Sequence, residues 1–183
     1  LKAGSKYILE YDQFSKNFLN FKKKIILEIG FGDGKNLINS AKQNPDTFYI
    51  GADPFLNTTV KCLKQILENN LNNIKIWPDD IRKIIEFFPS KSISEVKLLF
   101  PDPWPKLKHQ NRRLVQADFL NSIYKILKIK GTITIGTDHT ILKSWILEVF
   151  QTNLKFDWQV EDSKDWRTRP KAVSYTHLRA HET

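Results

Sequence analysis

The sequence of 183 residues is poor in the side chains that most often bind metals or cross-link a chain. It has a single cysteine, Cys62, so no disulfide can form within the chain; this favours a reducing compartment, and we predict a cytoplasmic location. Its four histidines lack the spacing of a zinc site, and we predict no metal. No apolar run approaches the ~18 residues that a membrane helix requires, so we expect no membrane partner.

Methionine is absent altogether, even at position 1, so we expect the start of the protein to be missing. No signal peptide, internal repeat or low-complexity linker is visible, and the length suits one domain. What the sequence has in excess is positive charge: 29 Lys and Arg face 20 Asp and Glu, a formal net charge of +9. This excess favours an anionic partner, and nucleic acid is the usual one.

Apolar runs rich in β-branched residues alternate along the chain with amphipathic stretches of helical period. The runs predict strands at 25–29, 48–52, 74–77, 95–100, 131–136 and 156–160, and the stretches between them predict helices at 35–44, 55–69, 81–88, 114–127 and 140–152. Strands that alternate with helices imply βαβ units. The sequence therefore predicts an α/β fold: a Rossmann-like, doubly wound, mainly parallel sheet with helices on both faces.

A glycine-rich loop, Glu28-Ile29-Gly30-Phe31-Gly32-Asp33-Gly34, follows the first predicted strand. Glycine permits a positive φ and a close approach of the backbone to a ligand. The loop matches neither the dinucleotide fingerprint, which would need glycine at position 35, nor the P-loop, which would need it at position 29. It suits a cofactor that lacks a pyrophosphate.

Acidic residues recur just past the predicted strands. Asp53 follows the second strand, about 20 residues after the loop, where it could accept hydrogen bonds from ribose hydroxyls. Asp80 and Ile81 follow the third, where they could hold an adenine amino group and its face. Asp102 and Asp138 follow the fourth and fifth strands. Because ligands of open α/β sheets bind at the carboxyl ends of the strands, we expect these residues to share one site.

The segment Phe100-Pro101-Asp102-Pro103-Trp104-Pro105-Lys106 is the most unusual stretch of the chain. Three prolines in five residues forbid helix and remove three backbone donors, so the chain must leave the fourth strand as a stiff, extended turn. The turn carries a carboxylate and a large aromatic ring. Basic residues follow it at Lys106, Lys108, His109, Arg112 and Arg113.

These patterns resemble known proteins at two levels of detail. The E-x-G-x-G-x-G loop, with an acid after the second and third strands, is similar to the S-adenosylmethionine site of class I methyltransferases. Phe100–Lys106, followed by His109 and Arg112-Arg113-Leu114-Val115-Gln116, resembles more specifically the tRNA (guanine-N7-)-methyltransferase family, in which P-D-P-W-x-K and R-R-x-V-Q are signatures. The resemblance covers residues 25–170.

The resemblance implies roles for individual residues. The cofactor site it implies comprises Glu28, Gly30, Gly32, Gly34, Asp53, Asp80, Ile81 and Asp102. It makes Asp102 the catalytic residue and makes Lys106 and Asp138 contacts to the substrate. Arg112 and Arg113 are interpreted from their charge as contacts to RNA phosphates. Trp104 either packs under the turn or stacks on a base.

The chain departs from the family after Arg169-Pro170. Members carry a T-x-x-E pattern and a closing strand there, whereas this sequence continues Lys171-Ala172-Val173-Ser174-Tyr175-Thr176. We therefore divide the chain into a basic N-terminal extension (1–24), a methyltransferase domain (25–170) and an atypical tail (171–183) that need not be native to the domain. The departure leaves open whether the sheet has its closing strand.

The predicted reaction is transfer of a methyl group from S-adenosylmethionine to N7 of a guanosine in tRNA, in the variable loop by resemblance. N7 has a lone pair and no proton to lose, so attack needs alignment and electrostatics rather than a general base. A carboxylate at Asp102 would stabilise the cationic product. Two alternatives stay open: a methyltransferase for exocyclic amines, whose related turn has proline where Trp104 stands, and an RNA-binding module without activity. We expect a monomer, with a homodimer as the alternative.

Overall fold

The computed structural model describes residues 2–11, 24–159 and 175–180, and within these ranges seven strands form one sheet with four α-helices packed on it. The strands are β1 (Lys24–Ile29), β2 (Thr47–Ala52), β3 (Ile74–Trp77), β4 (Ile93–Leu99), β5 (Leu127–Gly136), β6 (Phe156–Trp158) and β7 (Tyr175–Ala180). The helices are α1 (Lys35–Gln43), α2 (Leu56–Glu68), α3 (Ala117–Ile126) and α4 (Thr140–Gln151). Short 3₁₀ turns lie at Lys2–Tyr7, Ile81–Lys83, Ile85–Phe87 and Leu107–Arg112.

The strand order is β3-β2-β1-β4-β5-β7-β6. Strands β1 to β5 pair in parallel, whereas β7 is antiparallel to both of its neighbours, β5 and β6. The direction in which the sheet is built reverses between β1 and β4. The loops that leave these two strands therefore diverge and open a crevice at their carboxyl ends, which is the usual place for a ligand in such sheets.

Both faces of the sheet are covered by helices. Successive side chains of a strand point to opposite faces, so Ile26 of β1 packs with Ile66 of α2 on one side. Leu27 packs on the other side with Leu120 of α3 and Ile146 of α4. These five side chains are at most 4% exposed. The predicted fold class, a Rossmann-like doubly wound and mainly parallel sheet, is confirmed.

The predicted elements differ from the observed ones mainly at their ends. The segment predicted as a short helix at 81–88 is two 3₁₀ turns, each only three residues long. Helix α3 begins at Ala117 rather than at residue 114, because Arg113, which follows the 3₁₀ turn, and Gln116, which precedes the helix, have extended backbone. Strand β5 begins at Leu127, directly after α3, and is longer than its apolar run predicts.

The closing strand that the sequence left open is present in the structure. Strand β7 lies between β5 and β6, where Ile133 and Ile135 of β5 are in register with Leu178 and Thr176. It falls within the stretch that the sequence sets apart as an atypical tail, so the sheet extends beyond the predicted domain end at residue 170. Residues 12–23 and 160–174, which include Arg169-Pro170 and much of both predicted terminal segments, lie outside the described residues.

Part of the predicted N-terminal extension packs on the domain. The Leu9 N–H donates to the Ile76 carbonyl (2.7 Å), which adds a short parallel contact at the β3 edge of the sheet. Tyr7 and Leu9 are buried. The Tyr11 ring meets the Trp77 ring edge-on, with the centroids 5.1 Å apart. Tyr7 and Leu9 are therefore part of the hydrophobic core, and the half-exposed Tyr11 packs against its edge.

Residues 2–11, 24–159 and 175–180 contain neither a membrane-spanning helix nor a metal-binding cluster. No helix there is long and apolar enough to span a membrane. No group of three or more His, Cys, Asp or Glu side chains in that part of the chain could hold a metal ion.

Candidate active site

A cavity of about 290 Å³ lies at the carboxyl ends of β1, β2 and β4, at the point where the strand order reverses. Four segments line it: the glycine loop after β1, the β2–α2 loop, the 3₁₀ turn after β3 and the proline turn after β4. Its lining includes six of the predicted cofactor residues: Gly30, Gly32, Asp53, Asp80, Ile81 and Asp102. Three of these residues, Asp53, Asp80 and Asp102, are acids from separate strands, and they meet at one edge of the sheet as predicted.

The glycine loop divides into an open part and a packed part. Gly30 (φ 72°) and Gly32 (φ 56°) have left-handed backbone, and an added Cβ at either position would meet nothing within 4 Å. Gly34 (φ 79°) precedes α1, and its added Cβ would stand 2.7 Å from Sγ of the fully buried Cys62 in α2. Gly30 and Gly32 thus leave room toward the cavity, whereas Gly34, outside the cavity lining, lets α1 approach α2.

Asp53 holds two loops together across the cavity floor. Its carboxylate accepts hydrogen bonds from the Gly32 N–H (2.9 Å), the Phe55 N–H (2.9 Å) and the Thr58 hydroxyl (2.8 Å). The residue is 3% exposed. An ionised carboxylate has about four acceptor positions, so one position, on the oxygen that faces Gly32, stays available for a ligand donor.

The turn after β3 presents a neutralised acid and an apolar side chain. Asp80 accepts from the Arg82 N–H (2.8 Å) and pairs with the Arg82 guanidinium. The hydrogen bonds from Arg82 hold the pKa of the Asp80 carboxyl below its ordinary value. The Trp77 indole N–H donates to the Asp80 carbonyl (3.1 Å), which fixes the turn on the end of β3. Ile81 is buried and gives the cavity an apolar wall.

Glu28 lies beneath the glycine loop and does not line the cavity. Its carboxylate accepts from the Asn36 side-chain amide (2.6 Å) and is 3% exposed. Burial raises the pKa of Glu28 from its ordinary 4.5 to about 7, while the Asn36 hydrogen bond and the charge of Lys97 oppose the rise. Glu28 thus lies behind the loop in this structure, and its predicted contact to the cofactor stays a prediction.

The proline turn is held by a buried arginine. The Arg113 guanidinium donates from Nε to the Pro103 carbonyl (3.2 Å) and from Nη2 to the Trp104 carbonyl (3.1 Å). The guanidinium also stacks on the Trp145 ring of α4, 4.9 Å from its centroid. Arg113 is 3% exposed. In this structure the guanidinium is buried and donates from Nε and Nη2 to the turn, and the predicted phosphate contact from Arg113 stays untested.

The rest of the R-R-x-V-Q segment supports the same turn. The Gln116 side-chain amide donates to the carbonyls of Gln110 (2.9 Å) and Arg113 (3.2 Å), which ends the 3₁₀ turn. Val115 is buried, and its carbonyl accepts from the Trp145 indole N–H (2.7 Å). Three of the five residues of the motif, Arg113, Val115 and Gln116, therefore hold the segment that follows Asp102. The sequence had indicated RNA binding only for the two arginines, from their charge.

The remaining predicted substrate residues lie at the mouth of the cavity or beyond it. Arg112 lines the cavity, and its guanidinium lies over the Trp104 ring, 5.0 Å from the centroid. Trp104 is half-buried, lines the cavity and meets the His109 ring edge-on at 5.8 Å. Lys106 and Asp138 are exposed and are not part of the lining.

Three residues that line the cavity, Phe55, Thr58 and Phe100, were not predicted from the sequence as site residues. Phe55 and Phe100 line it with rings that are 63% and 46% exposed. Thr58 bonds Asp53 from the first turn of α2. A signal was available for the two aromatic residues, because each follows the carboxyl end of a strand within three residues.

Comparisons with known proteins agree with this geometry. A family model described as "Putative methyltransferase" matches residues 22–181. An rRNA methylase from Streptococcus thermophilus has the same fold, with a TM-score of 0.62 at 11% identity over 94% of each chain. Fold and family model together define the chain as a methyltransferase.

The curated relatives are more specific. The chain is 40% identical over 150 residues to the tRNA (guanine-N(7)-)-methyltransferase of Hyphomonas neptunium. The matched segment covers 82% of this chain and 68% of that protein. It is 38% identical over 146 residues to the enzyme of the same name from Agrobacterium fabrum, covering 80% and 63%. The chain belongs to the tRNA (guanine-N(7)-)-methyltransferase family, and it spans about two thirds of the length of these relatives.

The buried Glu28 predicts an unusual dependence of stability on pH. Since the pKa of Glu28 is about 7 in the folded chain and ordinarily 4.5, the folded state keeps this proton to a higher pH, and raising the pH through that window favours unfolding. We expect Glu28→Gln to remove this loss, so that its stability relative to the parent rises by about 3 kcal/mol from pH 4.5 to pH 8. Urea unfolding of both chains without ligand checks this; a constant difference across the range would contradict it.

The Arg113 contacts predict a stability effect that its neighbour does not share. Arg113→Lys keeps the charge but loses the planar fork that reaches two carbonyls and stacks on Trp145. We expect the free energy of unfolding to fall by about 2 to 4 kcal/mol. Arg112→Lys is the matched control, because Arg112 is exposed and should change stability by less than about 1 kcal/mol. Equal losses in the two variants would show that Arg113 does not hold the turn.

Proposed function

We propose that this chain transfers a methyl group from S-adenosylmethionine to N7 of a guanosine in tRNA. The observation that carries the proposal is that one cavity joins the open glycine loop and Asp53 to the proline turn with Asp102. The first half suits a nucleoside cofactor, and the second carries the family signature. Relatives bearing the name of this activity support the proposal.

The residues present fit S-adenosylmethionine. Gly30 and Gly32 leave space where side chains would intrude, which is what a close backbone contact requires. Asp53 retains one acceptor position for a ribose hydroxyl, and Ile81 offers an apolar surface to a flat base. When bound, this cofactor supplies a methyl group on a positively charged sulfur.

Asp102 is placed to act on the methyl acceptor. It lines the cavity, is exposed, and lies in a turn that Arg113 holds rigid. Guanine N7 carries a lone pair and no proton, so the chain need not supply a base for the attack. The purine becomes cationic as the new bond forms, and a fixed carboxylate stabilises that charge more than it stabilises the neutral base.

The exposed basic residues beside the turn suit an RNA backbone. Lys106 and Lys108 are exposed, and Arg112 is exposed and lines the cavity. Cations near the mouth can hold phosphates while the base enters the cavity. With the formal net charge of +9, these residues support tRNA as the partner. Asp138, a monomeric state and a cytoplasmic location stay parts of the proposal.

Methyl transfer to bulk tRNA tests the function directly. The chain is incubated with tRNA and S-adenosylmethionine carrying a labelled methyl group, and the tRNA is digested to nucleosides. We expect the label in 7-methylguanosine. Label on an exocyclic amine would instead favour the alternative methyltransferase, and tRNA binding without transfer would favour an RNA-binding module.

Asp102→Asn tests the proposed catalytic residue. The change keeps the size of the side chain and removes its charge, so we expect single-turnover methyl transfer to slow about a hundredfold or more, with enzyme and cofactor saturating. Affinity for tRNA should change little, because phosphate contacts dominate it. Asp46→Asn, an exposed position outside the cavity lining, is the control. A rate within about threefold of the parent would rule out the catalytic role of Asp102.

A further inference from the structure

Phe100 has a strained backbone and a ring that is 46% exposed, a combination that selection for stability alone would not produce. Its φ is +53°, a left-handed conformation that a bulky side chain rarely adopts, directly after the end of β4. Its N–H still donates to the Gly136 carbonyl of β5 (2.7 Å), so the ladder between the strands fixes this backbone. Glycine would take the conformation without strain.

The Phe100 ring does not compensate by packing in the core. It is 46% exposed and is not part of the buried cluster on either face of the sheet. It lines the cavity beside Asp102. Strained residues that persist without a packing role are concentrated at functional sites, and Phe100 is one that lines the cavity.

The two aromatic rings of the turn differ in what already covers them. The Trp104 ring has the Arg112 guanidinium over it and the His109 ring at its edge. Among the residues that the structure describes, no ring or cation lies against Phe100 in this way. Phe100 therefore has a ring surface open to a ligand, and it lies two residues from Asp102 in the same cavity-lining turn.

We propose that Phe100 forms one wall of the slot for the methyl acceptor and stacks on its purine base. The inference deepens the proposed function and rests on it. Stacking on an aromatic ring requires only a flat π-surface, which a guanine presents, and it would orient the base against Asp102. The backbone strain at Phe100 is then the cost of aiming the ring into the cavity.

The test compares Phe100→Gly with a matched strain-relief variant, Lys91→Gly. Lys91 also has a positive φ (57°), is exposed, and lies just before the amino end of β4, away from the cavity. Both variants should melt at or above the parent's temperature, because glycine relieves the same strain. Phe100→Gly should lower kcat/KM for tRNA roughly 5- to 100-fold, as expected for one lost stacking contact. Lys91→Gly should leave it unchanged.

Two further measurements make the assignment specific. Calorimetric affinity for S-adenosylmethionine should stay within about twofold in Phe100→Gly, and Phe100→Tyr should restore most of kcat/KM, since it restores the ring. The proposal is overturned if kcat/KM does not change, if cofactor affinity falls as much as kcat/KM does, or if Phe100→Gly melts lower than the parent. If the parent chain makes no 7-methylguanosine, the proposed function fails and this inference fails with it; an active parent with an unaffected variant refutes this inference alone.

Discussion

The site depends on a buried cation whose hydrogen bonds go to backbone carbonyls. Three prolines stiffen the chain after β4, but they also remove the donors with which a turn usually ties itself down. Arg113 supplies donors from outside the turn, at the carbonyls of Pro103 and Trp104, while Trp145 covers its charge. A planar group with a fixed fork suits this task better than a flexible ammonium. The position of Asp102 follows from that arrangement.

A second buried charge, the carboxylate of Asp53, holds another pair of loops that line the cavity. The Asp53 carboxylate joins the glycine loop to the start of α2 through the N–H groups of Gly32 and Phe55. Nearby, Glu28 is equally buried and accepts from the Asn36 side-chain amide, and its burial raises its pKa to about 7. Similar carboxylates thus differ in role because their donors differ: one shapes the cavity, and the other supports the loop from below.

The proposed methyl transfer requires only that the protein align the two reactants and stabilise a positive charge, and the structure is consistent with both requirements. No proton has to be removed from guanine N7, so a carboxylate in a rigid turn and an ordered cofactor site suffice for the proposed reaction. The exposed Lys106 and Lys108 lie outside the cavity lining, where the proposed function would have them meet phosphates without competing with Asp102. In the proposed function, the proline turn would align the base and the exposed lysines would bind the RNA backbone.

The sequence alone determined the features that follow from local rules. The alternation of apolar runs and amphipathic stretches predicts the parallel sheet, because each strand must be buried on both faces. Glycines and prolines mark the two loops, because they restrict or release φ, and the acids of separate strands meet because parallel strands end at one edge. Only the tertiary structure decided which of these side chains face the cavity. Gly34 meets Cys62, Glu28 turns under the loop, and Arg113 is buried beneath Trp145, each through a partner at least eight residues away in the chain. Burial and pairing between distant segments are set by how helices pack on the sheet, and the spacing of residues within a motif does not encode that packing.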